Sequence, residues 1–370
     1  MPNYEPWNIS HEMFDGLTTQ EQKLRFLVRY AVLAPSSHNS QPWSFVASGS
    51  HIDLIPDLSR ALEISDIDHR QLHISMGTAL ENLLIAAEYF GYATHVSYLL
   101  GRVAGTEQIR IEFAEQTTEV AQNDRRLVEA ILRRHTNRGE YTKEIPEASF
   151  LEEIRKLTTD AIRIDIVTNP VKKQALADVT IRAGIAAMDD PKFRAELSRY
   201  LKNNQTRSPL GMPAFGMGIP TLLSFIVPFL SQFFNINKLR EKADRALLTE
   251  HTPAILVIST AHDTPEYWIK TGKIYERIAL EATAHGMHTN PMAAAIQIGD
   301  FYMELQKILG IKSTRPQFFS RLGYAKSETR HSPRLHADHV TASASFTRNI
   351  KIFQEIFDKL QPKSGNFRPK

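Results

Sequence analysis

The chain of 370 residues contains no cysteine. This absence excludes disulfide bonds, thiolate-bound metal ions, iron–sulfur clusters and cysteine nucleophiles in one step. The sequence also lacks a P-loop and the glycine fingerprint of a Rossmann fold. If NAD(P)H is used, we therefore expect it to dock transiently and not in a dedicated dinucleotide-binding fold.

A strong charge imbalance is absent too. The net charge at pH 7 is only +3, and no dense run of lysine and arginine is interleaved with aromatic residues. We therefore expect no nucleic-acid partner. Residues 1–15 are polar and mixed in charge, without the basic and then apolar pattern of a secretory signal, which predicts a cytoplasmic protein.

A long uninterrupted apolar run is the third absence. Residues 208–237 carry no charge and many aliphatic and aromatic side chains, but four prolines and three glycines interrupt them. A membrane-spanning helix needs about 20 uninterrupted apolar residues, so we expect no membrane partner. We interpret an insertion at 205–238 as a mobile lid or helical hairpin over an apolar pocket. The alternative is an insertion that simply packs onto the core.

What the sequence does contain is ordinary globular composition, with 42% hydrophobic and 23% charged residues, enough for two domains or one large one. Apolar spacing and turn residues predict alternating helices and short strands. The predicted helices are 19–33, 71–90, 124–134, 148–157, 171–187 and 266–285. The predicted strands are 43–46, 52–55, 96–99, 108–113, 162–167 and 254–259.

Two of the predicted helices repeat each other. The segment from Gly77 to Gly91 and the segment from Gly272 to Gly286 have equal length, and both end in a glycine followed by a large residue. The match predicts two copies of one α+β unit in a single chain, a dimer fused into a monomer. Coincidence between two amphipathic helices is the alternative.

The densest polar motif is Ala-Pro-Ser-Ser-His-Asn-Ser-Gln-Pro-Trp at residues 34–43. Pro35 and Pro42 fix φ at the two ends of the loop, and the residues between them favour turns and local side-chain hydrogen bonds. A stiff loop with many short donors and acceptors suits the ribityl chain and the polar edge of a flavin. A plain helix-to-strand connection is the alternative.

A second motif, Arg-His-Thr-Asn-Arg at residues 134–138, follows a predicted helix. Arginine binds phosphate in a bidentate manner, and Thr136 adds a hydroxyl donor. One of the two arginines could instead stabilise the negative charge of a reduced flavin. Taken alone, arginines at a helix end are usually solvated.

Together these motifs resemble the nitroreductase family. Residues 35–43 resemble its PSSxNxQPW motif, residues 134–138 resemble its RxSxR/K motif with threonine for serine, and residues 77–87 are similar to its long central helix. The family has these motifs in the opposite order and builds each FMN site from two subunits. One copy of each motif in reversed order is similar to the tandem, Acg-type branch.

The resemblance implies an α+β fold of two nitroreductase-like repeats, with antiparallel-dominated sheets flanked by helices and one FMN site in a pseudo-dimer. The implied repeats are residues 1–123 and 124–345, and the second contains the lid insertion 205–238. Residues 346–370 would form a C-terminal extension. We expect a monomer or a weak homo-oligomer.

The resemblance also implies a set of FMN-binding residues. The first motif would contribute its loop residues, the second its two arginines and threonine, and the segment after the second repeat's helix would line the ring. A basic C-terminal arm of the family reaches the phosphate, and an exposed loop is the alternative for this arm. The predicted cofactor-binding residues are Pro35, Ser36, Ser37, His38, Asn39, Gln41, Arg134, Thr136, Arg138, Thr289, Asn290, Pro291, Met292, Arg330 and Arg334.

The implied activity is oxidoreduction: hydride from NAD(P)H would reach flavin N5 and pass to a small acceptor, nitroaromatic or quinone-like. The alternative is an FMN storage protein whose apolar lid leaves no room for a nicotinamide. No metal site is expected. His69 and His73 have the spacing of a metal pair on a helix, but the sequence offers no evident third ligand.

Overall fold

The computed structural model describes residues 2–100, 107–115 and 125–343. Helices and mainly antiparallel strands combine in the predicted α+β arrangement. The predicted boundary between the repeats at residues 123 and 124, and the C-terminal extension 346–370, lie outside the described residues. No helix that the structure describes combines the length and the apolar character needed to cross a membrane.

Within the described residues, the first part of the chain forms three α-helices and four strands, and the predicted strands at 43–46 and 52–55 pair as an antiparallel hairpin. Helix α2 begins at Thr19, whose side chain and backbone exchange hydrogen bonds with Gln22 in a capping box. The helices are α1 (Glu12–Asp15), α2 (Gln20–Ala31) and α3 (Arg70–Tyr89). The strands are β1 (Trp43–Ser48), β2 (His51–Pro56), β3 (Tyr92–Leu99) and β4 (Gln108–Glu115).

The second part contains eleven described helices and seven described strands. The helices are α4 (Arg125–Arg133), α5 (Ala148–Arg155), α6 (Pro170–Asp189), α7 (Pro191–Tyr200), α8 (Thr221–Ser224), α9 (Val227–Phe233), α10 (Ile236–Thr249), α11 (Pro265–Ala284), α12 (Ala294–Gln297), α13 (Phe301–Leu309) and α14 (Ala337–Val340). The strands are β5 (Ile162–Val167), β6 (Leu201–Lys202), β7 (Met212–Pro213), β8 (Ala254–Thr260), β9 (His288–Pro291), β10 (Arg315–Gly323) and β11 (Thr341–Ser343).

Two sheets have matching topology. The first has the order β1-β2-β4-β3 with β11 added in parallel beside β1, and the second has the order β5-β8-β10-β9. In both, a 20-residue helix, α3 or α11, follows the second strand and leads to an edge strand. The same order of strands around an equivalent helix supports the internal repeat.

Helices α3 and α11 cross at the centre of the molecule, and two glycines make the crossing close. A Cβ atom on Gly77 would lie 2.0 Å from the carbonyl oxygen of Ile269, and one on Gly272 would lie 1.9 Å from that of Ile74. Each glycine therefore lies against a residue of the opposite helix, and that residue comes three positions before the glycine of its own helix. Only a residue without a side chain allows the two backbones to approach this closely.

The two sheets differ mainly in the connection between their first and second strands. A two-residue turn joins β1 to β2, whereas residues 168–253 join β5 to β8 and contain α6 to α10. The predicted lid segment, 205–238, lies within this larger connection. It forms the short helices α8 and α9, whose outer side chains Leu222, Phe229 and Phe233 are all more than half exposed.

Candidate cofactor-binding site

The loop after α2 is held in an unusual backbone conformation. His38, Asn39 and Gln41 have φ values of 52°, 55° and 51°, in the left-handed region that L-residues seldom occupy. The Ser36 hydroxyl oxygen accepts a hydrogen bond from the Gln41 amide at 2.9 Å. Arg60 donates to the Gln41 carbonyl at 2.8 Å. Three left-handed residues in one loop are the kind of strain that clusters at ligand sites.

Asn39 and Gln41 use their side chains to hold this loop against distant backbone. The Asn39 amide donates to the carbonyls of Gly211 and Pro333, each at 3.0 Å. The Gln41 amide donates to the Pro209 carbonyl at 2.8 Å. Both side chains are buried in these contacts, and neither lines the cavity of about 400 Å³ that the two motifs share.

The two arginines predicted for a C-terminal arm lie apart from that cavity. Arg334 is buried, donates to Asn39 Oδ1 at 2.8 Å and to the Leu33 carbonyl at 3.1 Å. Burial lowers the pKa of Arg334 to about 9. Arg330 stacks over the Phe215 ring at 5.6 Å and borders two other surface cavities.

The second motif follows α4 and meets the strand after α11. Thr136 pairs with Thr289 in a parallel bridge, and the Thr289 hydroxyl lies 3.0 Å from the Tyr275 hydroxyl. The preceding Arg134 is buried, and its Nε lies 3.3 Å from a carboxylate oxygen of the fully buried Glu276 without forming a hydrogen bond. Burial raises the pKa of Glu276 to about 7. Arg134 therefore already has an acidic neighbour inside the protein.

Arg138 has no such neighbour. Among the residues that the structure describes, no carboxylate forms an ion pair with it, and its side chain donates only to the Met212 sulfur at 3.6 Å. Burial lowers the pKa of its guanidinium. A desolvated cation without a counter-charge is costly, so Arg138 is the residue of the two motifs that is available to bind an anion.

One cavity of about 400 Å³ brings the two motifs together. Its size is within the range of pockets that hold cofactors and small ligands. Of the predicted residues, it is lined by Pro35, Ser36, Ser37, His38, Thr136, Arg138, Pro291 and Met292. Asn290 borders an adjoining cavity together with Arg138, Pro291 and Met292.

Sequence reasoning missed a polar stripe on α3. Gln71, Ser75 and Thr78 face the cavity at helical spacing. The Ser37 hydroxyl donates to Gln71 Oε1 at 3.2 Å, and the Thr78 hydroxyl donates to the Pro35 carbonyl at 2.7 Å. Their spacing of i, i+4 and i+7, which places them on one face of the helix, was the signal available in the sequence.

The large insertion forms an apolar wall of the same cavity. Met212, Met217, Ile219 and Val227 line it from the predicted lid segment, and Ile236 continues the wall at the start of α10. The cavity thus has a hydroxyl-rich side with one unpaired cation and a side of aliphatic and thioether groups. This combination accommodates a ligand with an anionic polar tail and a flat apolar ring.

Comparisons with known proteins give matches along most of the chain. No family model matches. An uncharacterised protein of Mycobacterium tuberculosis is 27% identical over 310 residues, which are 82% of this chain and 87% of that protein. Two further relatives, acg of M. tuberculosis and PigM of Serratia sp., are 24% and 25% identical over 305 and 333 residues, and both carry provisional names as NAD(P)H nitroreductases. The alignments span 82% and 85% of this chain, and 89% and 92% of the relatives.

The chain is thus similar along most of its length to proteins named as NAD(P)H nitroreductases. Among solved structures it is similar to the FMN-dependent nitroreductase NfnB from Mycobacterium smegmatis in complex with NADPH, with 15% identity and a TM-score of 0.39. That match covers 59% of this chain and 97% of the other. An iodotyrosine deiodinase bound to FMN matches 56% of this chain and 95% of its own chain, with 14% identity and a TM-score of 0.35.

The cavity fits FMN on grounds independent of those names. The unpaired guanidinium of Arg138 suits a phosphate, because arginine forms charge-assisted hydrogen bonds to phosphate oxygens. The hydroxyls of Ser36 and Ser37 suit a ribityl chain, and the Met217 and Val227 side chains suit the apolar face of a ring. The His38 Nδ1 is buried and has no hydrogen-bond partner among the residues that the structure describes, so it can bond to a polar ligand atom.

Proposed function

We propose that the chain is an FMN-dependent oxidoreductase of nitroreductase type, which takes hydride from NAD(P)H and passes it to a small nitroaromatic or quinone-like acceptor. The observation that carries this proposal is the convergence of Arg138 and the 35–38 loop on one cavity. The names of the relatives as NAD(P)H nitroreductases support it. We further propose a cytoplasmic monomer, or a weak homo-oligomer.

FMN, when bound, supplies the hydride-accepting and hydride-donating chemistry. Arg138 neutralises the phosphate charge, while Ser36, Ser37 and Thr136 position the polar chain of the cofactor. The apolar wall around Met217 excludes water from the reacting face, and this strengthens the electrostatic contacts inside the cavity. His38 stays neutral, because burial lowers its pKa to about 4, so it offers hydrogen bonds without adding charge.

Among the predicted cofactor residues, we assign different roles to those that line the cavity and those that do not. Pro291 and Met292 line the ring side, and Thr289 and Asn290 support them from β9. Asn39, Gln41, Arg134 and Arg334 keep the two motifs in place through contacts within the protein. Arg330 is assigned no direct contact with the phosphate, because it lies outside the cavity.

The first experiment is an absorption spectrum of the purified protein, followed by anaerobic addition of NADH or NADPH. We expect a bound-flavin spectrum that bleaches with one of the two donors and recovers when a quinone is added. A flavin that dithionite reduces but neither nucleotide reduces would contradict the oxidoreductase and support storage. Absence of flavin, even after incubation with FMN, would overturn the site itself.

Variants then test the phosphate assignment. Arg138→Ala should weaken FMN binding at least about tenfold, because it removes a charge-assisted contact to a partly desolvated anion. Arg138→Lys should retain part of the affinity, since the charge remains and the bidentate geometry is lost. The matched control is Arg182→Ala. It also removes an arginine, but an exposed one whose partner is Glu304. Equal FMN affinity in Arg138→Ala and the control would reject the assignment.

A further inference from the structure

Three side chains of the types that bind metal ions lie close together beside the paired Thr136 and Thr289. His135 precedes Thr136, His288 precedes Thr289, and Glu328 follows β10. His135 Nε2 lies 3.3 Å from one Glu328 oxygen, and His288 Nε2 lies 3.2 Å from the other. All three ligand atoms lie within 4.8 Å of one another. The two histidines are far apart in sequence, so only the Thr136–Thr289 pairing brings them together.

The His135 ring is oriented so that its Nε2 atom can bind a metal ion. Its Nδ1 lies 3.1 Å from the Arg133 carbonyl, and because a carbonyl can only accept, Nδ1 must carry the proton. The lone pair is therefore on Nε2, which is buried and has no hydrogen-bond partner among the described residues. The side chain is only 9% exposed. A backbone carbonyl that fixes the tautomer in this way is the usual support of a metal-bound histidine.

The separations match the dimensions of a transition-metal site. Zinc binds imidazole nitrogen and carboxylate oxygen at about 2.0–2.2 Å, so two ligands of a tetrahedron lie about 3.4 Å apart. The observed 3.2 Å and 3.3 Å, each from one histidine to a different Glu328 oxygen, are close to this value, and one atom from each of the three side chains lies within 4.8 Å of the others. The nearby His331 is not needed as a ligand, because its Nε2 lies 3.2 Å from the Arg133 carbonyl.

We propose that His135, His288 and Glu328 form a binding site for a divalent transition-metal ion, with zinc as the best fit. Two imidazoles and one carboxylate suit zinc, and three protein ligands leave a coordination position for water. The ion ties the 134–138 motif to β9 and to the segment after β10, next to the cofactor cavity but independent of it.

The alternative is a hydrogen-bonded cluster in which His288 pairs with Glu328 and no ion binds. Glu328 decides between the two, because its side chain is 74% exposed and can be changed without disturbing the core. Glu328→Gln keeps the size and a hydrogen-bonding group but replaces the carboxylate with a neutral amide, which is a much weaker zinc ligand. Glu140→Gln is the matched control, since Glu140 is an exposed carboxylate paired with the neighbouring Lys326.

The test is zinc binding to the full chain after removal of metal with a chelator, measured by competition with a chromophoric zinc indicator. We expect one zinc ion per chain, a higher melting temperature with zinc, and at least about tenfold weaker binding in Glu328→Gln and His135→Gln. Glu140→Gln should bind like the wild type. Cobalt in place of zinc should give visible absorption bands of a four- or five-coordinate ion that His288→Gln abolishes.

Two results would overturn the proposal. One is the absence of zinc binding above that of the Glu328→Gln variant, and the other is unchanged affinity in both histidine variants. Because these measurements need neither flavin nor turnover, they fail or succeed separately from the proposed oxidoreductase activity. If a histidine variant does not fold, the exposed Glu328→Gln variant still decides the outcome.

Discussion

Gly77 and Gly272 are equivalent points of one helix crossing, each against the backbone of the other helix. Their missing Cβ atoms would lie 2.0 Å and 1.9 Å from the carbonyl oxygens of Ile269 and Ile74. In both cases the contacted residue is three positions before the opposite glycine. The reciprocity gives the centre of the molecule a local two-fold relationship within a single chain.

Replacing either glycine should destabilise the protein strongly. Alanine is normally better than glycine inside a helix by about 1 kcal/mol, but here its methyl group would overlap a backbone carbonyl that cannot turn aside. We expect Gly77→Ala and Gly272→Ala each to lower the free energy of unfolding by about 3 kcal/mol. Urea unfolding followed by circular dichroism measures this.

The control for this pair is Gly16→Ala, because a Cβ at Gly16 meets no atom within 4 Å and its φ is negative. It should change the stability by no more than about 0.5 kcal/mol. Stable Gly77→Ala and Gly272→Ala variants would show that the two helices do not cross at these glycines.

Asn39 should matter for stability even without cofactor. Asn39→Gly keeps a residue that tolerates a φ of 55° but removes the partners of the Gly211 and Pro333 carbonyls and of Arg334. We expect a loss of about 3 kcal/mol in flavin-free protein, because a buried charge and two carbonyls lose contacts. Asn39→Ala should lose about 1 kcal/mol more, since alanine is strained at positive φ.

Urea unfolding of flavin-free wild type and both variants measures these losses. Equal stability of Asn39→Gly and wild type without flavin, with a difference only when FMN is added, would instead assign Asn39 to direct cofactor binding. Equal stability of the two variants would remove the strain argument.

Glu276 should make stability depend on pH in a specific direction. Burial raises its pKa from 4.5 to about 7, with Arg134 and Arg334 opposing the shift and Glu81 adding to it. Between about pH 4.5 and pH 7 the unfolded chain releases this proton before the folded chain does. Stability therefore falls as the pH rises through this window, and the cost is constant above about pH 7.

Glu276→Gln cannot ionise and should lack this loss. Relative to wild type, its free energy of unfolding should rise by up to about 3 kcal/mol between pH 4.5 and pH 8. The absolute stability of the variant also includes the loss of a neighbour for Arg134, so the informative quantity is the change of the difference with pH. Unfolding curves of the two proteins at four pH values decide this, and parallel pH profiles would contradict the prediction.

Met217 should influence which acceptor is used. Met217 lines the cavity from the insertion. Met217→Ala enlarges the cavity on that side and leaves Arg138 and the 35–38 loop unchanged. In protein loaded with FMN, we expect kcat/KM to shift about tenfold in favour of a bulky quinone over a small one. Met303→Ala is the control, because Met303 is half exposed on α13. An unchanged ratio of the two quinones would remove the insertion from the acceptor site.

The segment 205–238 is an apolar wall of the cavity, and its role as a mobile lid remains a prediction. Deletion from residue 209 onwards would also remove the Pro209 and Gly211 carbonyls that hold Gln41 and Asn39. Substitutions at Met217 or Val227 therefore test the lid more cleanly than a deletion does.

Most secondary structure followed from the sequence because local patterns determine it. Apolar periodicity placed α2, α3, α6 and α11 to within a few residues, and the glycines that end α3 and α11 have the expected positive φ. The strands β9 and β10 and the helices α7, α10 and α13 were not predicted, and tertiary packing decides them.

The sequence by itself determined that two polar motifs, one uncharged apolar insertion and two matching helices share a chain without cysteine. Only the tertiary structure decided which arginine is available, because Arg134 and Arg138 look alike in sequence but only Arg134 lies beside a buried carboxylate. It likewise decided that Asn39 faces backbone and that His135, His288 and Glu328 meet. These outcomes depend on which distant groups pack together, and desolvation in that packing sets the charge and the partner of each side chain.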